Sequence, residues 1–417
     1  MKLRIDKLAE IDPARVPLPN GTEVTTGVDR MVNERIVRQG AVGRIKAIDG
    51  SSLIVRIVGV GDVRYLREEL TPRKSGQLDF AIRREVAWQA LRPAVVLETV
   101  VGSRAWGLAD ESSDTDVRGV FVLPFPWTTG LGQPPSDLVS ADGSTHYWEV
   151  GKAFRQAMRA DPNTLETLLL PSAVANAPMG QWILDIREAF VSSEIYGTFG
   201  RYALSQLKRL SQGVRLAEHR ELLLGWLRET PSLSLDQAAS ALAASAPIDG
   251  PTDAEKALRA KEYIKQLYSS MYDQGLLAER NFESLVSFSQ DGAHGFDLPR
   301  ELRPKNAYNL LRLLATATTW LRTGTPEFEV RGALRDELMS IKRQEVELRD
   351  VLSRAEELAE ELEASRASTA LPKSPDISRI DELLRRIRED AARRWLEKES
   401  GVFGSDCPEF PLAERKN

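Results

Sequence analysis

The sequence predicts an α+β protein built from a small all-β module, a short α/β unit and a long helical region. Short alternating runs separated by glycine turns fill residues 21–75, which is typical of β-structure. An apolar run at 95–101 and a second one at 117–123 then enclose a polar turn, and from Gly151 onward apolar residues recur at helical spacing. We expect a β-module at 1–76, an α/β core at 77–190, a helical domain at 191–400 and a C-terminal tail at 401–417.

Composition excludes several classes of function. The chain has 417 residues, a formal net charge of −5, one cysteine (Cys407) and three histidines. An internal disulfide framework and a thiolate metal cluster are therefore excluded, and nucleic acid would have to bind a local basic patch. The first residues, MKLRIDKLAEIDP, lack the apolar core of a signal peptide, and no apolar run approaches the length of a membrane span. We expect a cytoplasmic protein.

The N-terminal module has the pattern of a small barrel. In the run LIVRIV, Leu53, Val55 and Ile57 alternate with the residues between them, and an Asp49–Gly50 hairpin signal precedes the run. Short strands and glycine turns favour an SH3-like β-barrel that closes near Pro72.

The next 75 residues read as helix, strand, turn, strand, loop and strand. LDFAIRREVAWQAL has helical spacing, whereas PAVVLETVV, VRGVFVLP and HYWEV read as strands. Further along, RPKNAYNLLRLLATATTWL predicts a helix, and a 4-3 apolar spacing from Leu334 to Leu362 predicts one long amphipathic helix. The Ala/Ser/Pro-rich stretch at about 230–255 reads as a linker, and 365–377 as a loop.

The stretch GSRAWGLADESSDTD, residues 102–116, carries the chemistry. Gly102 allows the backbone to approach a ligand closely, Ser103 adds a hydroxyl, and Arg104 adds positive charge, which together suit phosphate oxygens. Asp114 and Asp116 are two apart, so on a strand they project from the same face. Paired carboxylates beside a phosphate-binding turn suit Mg²⁺ and describe a two-metal nucleotidyl-transfer site, although SSDTD is also ordinary loop composition.

This stretch resembles the motif of the DNA-polymerase-beta-type nucleotidyltransferase superfamily, in which Gly-Ser is followed by Asp-x-Asp on the next strand. The string GSRAWGLADESSDTDVRGVFV is most similar to the RNA-repair-associated predicted nucleotidyltransferase branch. The segments KAFRQAMRADPNTLETLLLPS, FGRYALSQLKRL, PKNAYNLLRLL and LPKSPDI extend the resemblance to about residues 90–395.

The resemblance implies a mixed sheet flanked by helices, with Asp114 and Asp116 holding two Mg²⁺ ions. Ser103 and the Gly102 turn would grip the β- and γ-phosphates of an NTP, for which ATP is the expected choice. The branch carries a third acid where Ser144 stands here. Asp142 and Glu149 are the two candidates to replace it, and an incomplete site is the third alternative.

Other side chains are candidates for contacts around the substrate. Arg118 follows Asp116 on the same strand face, where it would contact a phosphate or pair with an aspartate. Trp106 would pack under the turn or stack on a base, and packing is the favoured interpretation. Lys305, Tyr308 and Arg312 share one helix face and match a conspicuous string of the family, so they would line the nucleotide or acceptor side of the cleft. Glu166 and Glu345 are secondary candidates, and Arg201, Lys208, Arg209 and Arg215 would form a basic surface able to follow RNA.

Three functions remain open at this point. The first is Mg²⁺-dependent transfer of a nucleoside monophosphate from an NTP to an RNA or tRNA 3′ end, with release of pyrophosphate. The second keeps the site and changes the acceptor to a protein or small-molecule hydroxyl. The third is a nucleotide- or RNA-binding module without turnover.

Overall fold

The computed structural model describes residues 15–32, 35–57, 60–111, 113–130, 133–245, 248, 250–273, 277, 279–290 and 304–408. The chain divides into two compact units. The first comprises the described residues within Met1–Ala203, Arg312–Met339 and Leu358–Asn417, and the second those within Leu204–Leu311 and Ser340–Glu357. Among the helices described, none is long and apolar enough to cross a membrane.

The N-terminal module is an open antiparallel sheet. Its strands are β1 (Glu23–Thr26), β4 (Val42–Asp49), β5 (Ser52–Ile57), β6 (Gly61–Leu66) and β7 (Leu70–Pro72), and a separate hairpin consists of β2 (Arg30–Val32) and β3 (Arg35–Val37). The sheet order is β6-β5-β4-β1-β7. The alternation in β5 is confirmed, because Leu53, Val55 and Ile57 are buried in one core. The SH3-like barrel is not confirmed: a barrel needs its edge strands to pair, and no pairing joins β6 to β7 in the described part of the chain.

The central part is the predicted mixed sheet. Its elements are α1 (Ser75–Leu91), β8 (Val95–Val101), β9 (Asp116–Phe121), α2 (Phe125–Thr129), β10 (Asp137–Val139), β11 (Thr145–Glu149), α3 (Val150–Met158), α4 (Pro162–Leu169), β12 (Val174–Ala175) and α5 (Pro178–Asp185). The sheet order is β10-β11-β9-β8-β12, with β9 and β11 parallel and the other pairs antiparallel.

The two faces of this sheet bury different residues. Val117 and Phe121 of β9 pack with Leu91 of α1, Leu138 of β10 and Tyr147 of β11 in one apolar cluster. Because side chains alternate along a strand, Asp116 and Arg118 project from the other face. Helix α4 packs against β8 and β9. The sequence alternation in VRGVFV therefore decides which side of the sheet carries the acidic and basic side chains.

The remaining chain is helical, as predicted. Its helices are α6 (Arg201–Glu229), α7 (Leu235–Ser245), α8 (Asp253–Asp273), α9 (Phe282–Gln290), α10 (Pro304–Thr323), α11 (Gly332–Lys342), α12 (Leu348–Ser368) and α13 (Ile377–Leu396).

Two details of the helical prediction were wrong. The stretch 230–255 contains helix α7, and the 4-3 seam belongs to two helices, α11 and α12. The break lies at Gln344, whose φ of 63° is in the left-handed region that ends a helix. Glu345, which the seam placed on a helix, is exposed in the turn between them.

Gly119 at the centre of the mixed sheet gives a test of this packing. A Cβ there would clash with the Leu97 carbonyl oxygen and lie 2.8 Å from the Tyr147 ring. We expect Gly119→Ala to lower the free energy of unfolding by about 2–3 kcal/mol, as overpacking does. Gly76→Ala in α1 is the control, because a Cβ there meets nothing within 4 Å. Urea denaturation should show that variant to be unchanged or slightly more stable; equal stability of the two variants would contradict the register of β8, β9 and β11.

Candidate active site

The turn from Gly102 to Gly107 connects the carboxyl end of β8 to the loop before β9. Both glycines have positive φ values, 75° and 72°. The Trp106 amide donates to the Gly102 carbonyl at 3.0 Å and the Leu108 amide to that of Ser103 at 2.9 Å, so the backbone closes into a single helix-like turn. Among the described residues, no acceptor faces the amides of Ser103, Arg104 and Ala105. Three successive free amides form an anion-binding concavity.

The turn adjoins the first carboxylate directly. Asp116 is the register partner of Val101, the residue before Gly102. A Cβ on Gly102 would lie 3.3 Å from Asp116 Oδ2. Position 102 therefore requires glycine for its positive φ and for its closeness to the Asp116 carboxylate.

The two aspartates occupy different environments. Strand β9 begins at Asp116, so Asp114 lies in the preceding loop, not on the strand face that the spacing predicted. Asp114 is exposed, whereas Asp116 is half-buried, with Arg118 Nη2 at 3.6 Å from its Oδ1. Arg118 Nη1 donates to the carbonyls of Val117 and Ser144 at 2.8 and 2.9 Å. Of its two predicted roles, the structure shows the pairing with the aspartate.

Arg104 joins the turn to the aspartate loop. Its guanidinium donates to the Ser113 carbonyl at 2.8 Å, immediately before Asp114. Arg104 also lines a cavity of about 820 Å³, which lies beside the turn and includes Ser172, Thr316 and Arg331 in its walls. The same cation thus faces both the carboxylate loop and a cavity large enough for a small-molecule ligand.

A buried carboxylate supports the turn from beneath. Glu166 of α4 is 5% exposed, and its Oε1 accepts from the Gly102 amide and from Trp106 Nε1, each at 2.8 Å. Burial raises the pKa of Glu166, an effect opposed by Arg312, by these two hydrogen bonds and by Arg118. Sequence reasoning ranked Glu166 low, because a contact across 60 residues leaves no local signal.

The Arg312 side chain is buried against Trp106. It is 4% exposed, and its guanidinium carbon is 3.4 Å from the centre of the Trp106 ring. The Arg312 side chain therefore lies in the core under the turn, and its assignment to the nucleotide or acceptor side of a cleft stays a prediction. Trp106 packs under the turn, as expected.

A segment far along the chain also contacts the turn. The Val330 amide donates to the Trp106 carbonyl at 2.9 Å, and Arg335 Nε donates to the Gly107 carbonyl at 2.9 Å. A Cβ on Gly107 would lie 3.3 Å from the Val330 carbonyl oxygen. This close approach explains the second glycine of the turn.

The structure separates the two candidates for a third carboxylate. The Val117 amide donates to the Ser144 carbonyl, which places Ser144 beside Asp116 on the neighbouring strand. The Asp142 carboxylate accepts from the Ser144 amide at 3.0 Å and from its hydroxyl at 2.8 Å, so it lies at this end of β11. These contacts and that with Ser140 lower the pKa of Asp142, although partial burial acts in the opposite direction.

Glu149 lies at the far end of β11, opposite Phe121. Five residues along a strand span about 16 Å. Its carboxylate caps α3 by accepting from the Lys152 amide at 3.1 Å and lies 3.5 Å from Arg388. Glu149 therefore cannot share a metal ion with Asp116. Within the residues that the structure describes, no three His, Cys, Asp or Glu side chains are already arranged to hold a metal ion.

Two predicted substrate contacts belong to the second compact unit. Lys305 and Tyr308 lie in the first turns of α10, where Tyr308 is 4% exposed. The Lys305 side chain and the basic side chains predicted on α6 lie outside the described residues. These assignments stay predictions.

The sequence analysis missed a charged cluster beside the site. His146 is the register partner of Arg118 and so shares its sheet face. His146 Nε2 lies 2.8 Å from Asp137 Oδ1, and Lys152 Nζ donates to both Asp137 oxygens at 2.6 and 2.7 Å. Burial alone would raise the pKa of Asp137, but its hydrogen bonds with His146, Lys152 and Ser136 hold it well below the usual value. Asp137 and His146 lie on the two strands of a short hairpin, and side-chain alternation puts both on the same face of the sheet. That alternation is the sequence signal that would have identified the pair.

The mixed sheet, the Gly-Ser turn and the adjacent aspartates are together the features expected of a polymerase-beta-type domain. Residues 73–223 match the model of the RNA repair pathway DNA polymerase beta family. This match confirms the resemblance seen in the sequence and covers both the turn and Glu166. No curated protein and no solved structure matches the chain.

The Asp137 cluster gives a pH-dependent prediction. The pKa of Asp137 is lower in the folded protein than in the unfolded chain, where it is about 3.9. Its contribution to stability is therefore present above pH 4 and is lost as the pH falls below that value. We expect Asp137→Asn to lower the free energy of unfolding by about 1–2 kcal/mol at pH 7 and by less at pH 3.

Urea denaturation at several pH values measures this difference. Asp79→Asn, at an exposed position of α1, is the matched control and should behave like the wild type at each pH. A difference for Asp137→Asn that did not shrink in acid would contradict the charged pairing.

Proposed function

We propose that the protein is a Mg²⁺-dependent nucleotidyltransferase that moves a nucleoside monophosphate from an NTP, with ATP the expected one, to the 3′ hydroxyl of an RNA. The observation that carries the proposal is the contact of the amide-lined turn with Asp116, because a Cβ on Gly102 would lie 3.3 Å from the carboxylate. Phosphate-binding donors and hard metal ligands are therefore adjacent.

The donor set fits magnesium. Mg²⁺ binds through one or two protein carboxylates together with substrate phosphates and water, so Asp114 and Asp116 suffice as its first protein ligands. Asp142 is the better candidate for a third carboxylate, because it contacts Ser144 beside Asp116. When bound, the metal ions lower the pKa of the attacking hydroxyl and neutralise the phosphate charge.

The other groups of the site bind and orient. The amides of residues 103–105 and the Ser103 hydroxyl bind oxygens of the β- and γ-phosphates, and Arg104 adds positive charge beside them. Arg118 fixes the Asp116 carboxylate from one side. In the reaction, the acceptor oxygen bonds to the α-phosphorus, the bond from that phosphorus to the bridging oxygen breaks, pyrophosphate leaves and the hydroxyl proton passes to solvent. Holding the triphosphate in line with the acceptor supplies much of the rate enhancement.

The family supports RNA as the acceptor, since its description places it in an RNA repair pathway. A protein or small-molecule hydroxyl would use the same site. Incubation with labelled ATP and RNA, cell extract or aminoglycoside identifies the acceptor by what becomes labelled.

One observation favours a different function, a nucleotide-binding module without turnover. Ser144 occupies the position beside Asp116 where an acid was expected. Tight binding of Mg–ATP with no pyrophosphate release from any acceptor would support this second function.

The two aspartates provide the direct test. We expect Asp114→Asn and Asp116→Asn each to lower the rate of pyrophosphate release by about 10²–10³-fold or more, because each removes a charged metal ligand. Glu111→Gln, which changes an exposed carboxylate in the same loop, should stay within about twofold of the wild type. Retained activity in both aspartate variants would overturn the metal assignment.

Substitutions of Asp142 and Glu149 are expected to change different quantities, the Mg²⁺ requirement for Asp142 and the free energy of unfolding for Glu149. Asp142→Asn is expected to raise the Mg²⁺ concentration needed for half-maximal activity about tenfold or more. Glu149→Gln removes a charged helix cap and should lower the unfolding free energy by about 1 kcal/mol with an unchanged Mg²⁺ requirement. Activity titrated with Mg²⁺ and urea denaturation measure the two effects, and the reverse pattern would contradict the separation of Glu149 from the Asp116 end of β11.

A further inference from the structure

The turn support, defined here as Glu166, Trp106 and Arg312, lies beneath the phosphate-binding turn. Glu166 and Arg312 are 5% and 4% exposed. Neither side chain is placed to touch an NTP bound at the free amides, because Glu166 bonds to the turn from the core and Arg312 lies over the Trp106 ring. Their effect on a bound nucleotide would therefore pass through the turn.

A single carboxylate oxygen, Glu166 Oε1, accepts hydrogen bonds from both ends of the turn. Glu166 Oε1 accepts from the Gly102 amide, where the turn begins, and from Trp106 Nε1, four residues later. The Trp106 amide in turn donates to the Gly102 carbonyl. The Gly102 amide is thus directed inward, and the first amides left for a ligand are those of Ser103, Arg104 and Ala105.

The charge of the support is balanced within the core. A buried carboxylate is tolerated only when it is hydrogen-bonded and compensated by positive charge. Glu166 has both, from two hydrogen bonds and from the nearby charges of Arg312 and Arg118. Arg312 also lies against the Trp106 ring at cation–π distance, so it limits tilting of the indole that donates to Glu166.

We propose that Glu166 is a positioning residue, which sets the direction of the Ser103–Ala105 amides and thereby the affinity for the NTP phosphates. This inference rests on the proposed function. A carboxylate that only filled space in the core would change stability and leave nucleotide affinity alone.

The experiment compares Glu166→Ala, Glu166→Gln and Trp106→Phe with a control on the same helix. Thr167 is fully buried and its hydroxyl bonds within α4 to the Asn163 carbonyl, so Thr167→Ala disturbs the helix without touching the turn. For each variant we would measure KM for ATP, kcat, binding of a non-hydrolysable ATP analogue with Mg²⁺ by calorimetry, and amide hydrogen exchange in a peptide covering residues 102–108.

We expect Glu166→Ala to raise KM and the dissociation constant of the analogue about tenfold or more, the loss that follows removal of hydrogen bonds to a charged group. Exchange in the 102–108 peptide should accelerate. Glu166→Gln keeps an oxygen that accepts both bonds and should recover most of the affinity, whereas Trp106→Phe removes one donor and should give an intermediate effect. Thr167→Ala should lower the melting temperature with wild-type affinity.

Wild-type affinity and exchange in Glu166→Ala would overturn the inference. The inference would also be overturned if the affinity changes in Glu166→Ala, Glu166→Gln and Thr167→Ala were all proportional to the loss of stability of each variant. Should Glu166→Ala fail to fold, Glu166→Gln and Trp106→Phe decide by the same criteria. A wild-type protein that binds the analogue but never releases pyrophosphate would refute the proposed transfer reaction, and the binding and exchange data would still test Glu166.

Discussion

The hydrogen bonds from Gly102 and Trp106 to a single buried oxygen of Glu166 are the constraint on which the site depends. They join the turn at the carboxyl end of β8 to helix α4, which carries Glu166. Strand pairing alone fixes Asp116 beside Val101 but leaves the following six-residue turn undetermined. The turn takes one shape because its first amide and its indole must both reach the same acceptor.

That arrangement has an electrostatic consequence. A carboxylate excluded from water is destabilised, and two arginines on different elements, Arg312 of α10 and Arg118 of β9, supply compensating positive charge. Arg118 also pairs with Asp116 at 3.6 Å. One guanidinium therefore interacts with both a supporting carboxylate and a candidate metal ligand, which links the interior of the domain to the candidate site.

Local sequence patterns were sufficient to predict the strands of the central sheet, most helices and the Gly-Ser and Asp-x-Asp motif. The apolar runs at 95–101 and 116–121, and the Gly-Ser and Asp-x-Asp residues between them, predicted the central sheet and the resemblance that the match over residues 73–223 confirms. The sequence did not determine features that depend on distant partners. The spacing of Lys305, Tyr308 and Arg312 correctly put them on a helix, but periodicity does not distinguish a cleft-lining position from a core position, and Arg312 is buried.

Likewise, alternation predicts strands such as β5 without deciding whether the edge strands β6 and β7 pair with each other. Heptad spacing passes unchanged through the break at Gln344 because two helices in succession can keep it.

The contacts of Val330, Arg335 and Arg312 with the turn show how far along the chain the unit with the candidate site extends. The family match stops at residue 223, whereas these three residues follow it by about ninety positions or more and belong to the same compact unit as the turn. A recombinant fragment cut to the matched segment would leave Trp106 without its stacked cation and its carbonyl without the Val330 amide. The compact unit that holds the candidate site is therefore discontinuous in sequence, since the residues of the second unit interrupt it at 204–311 and again at 340–357.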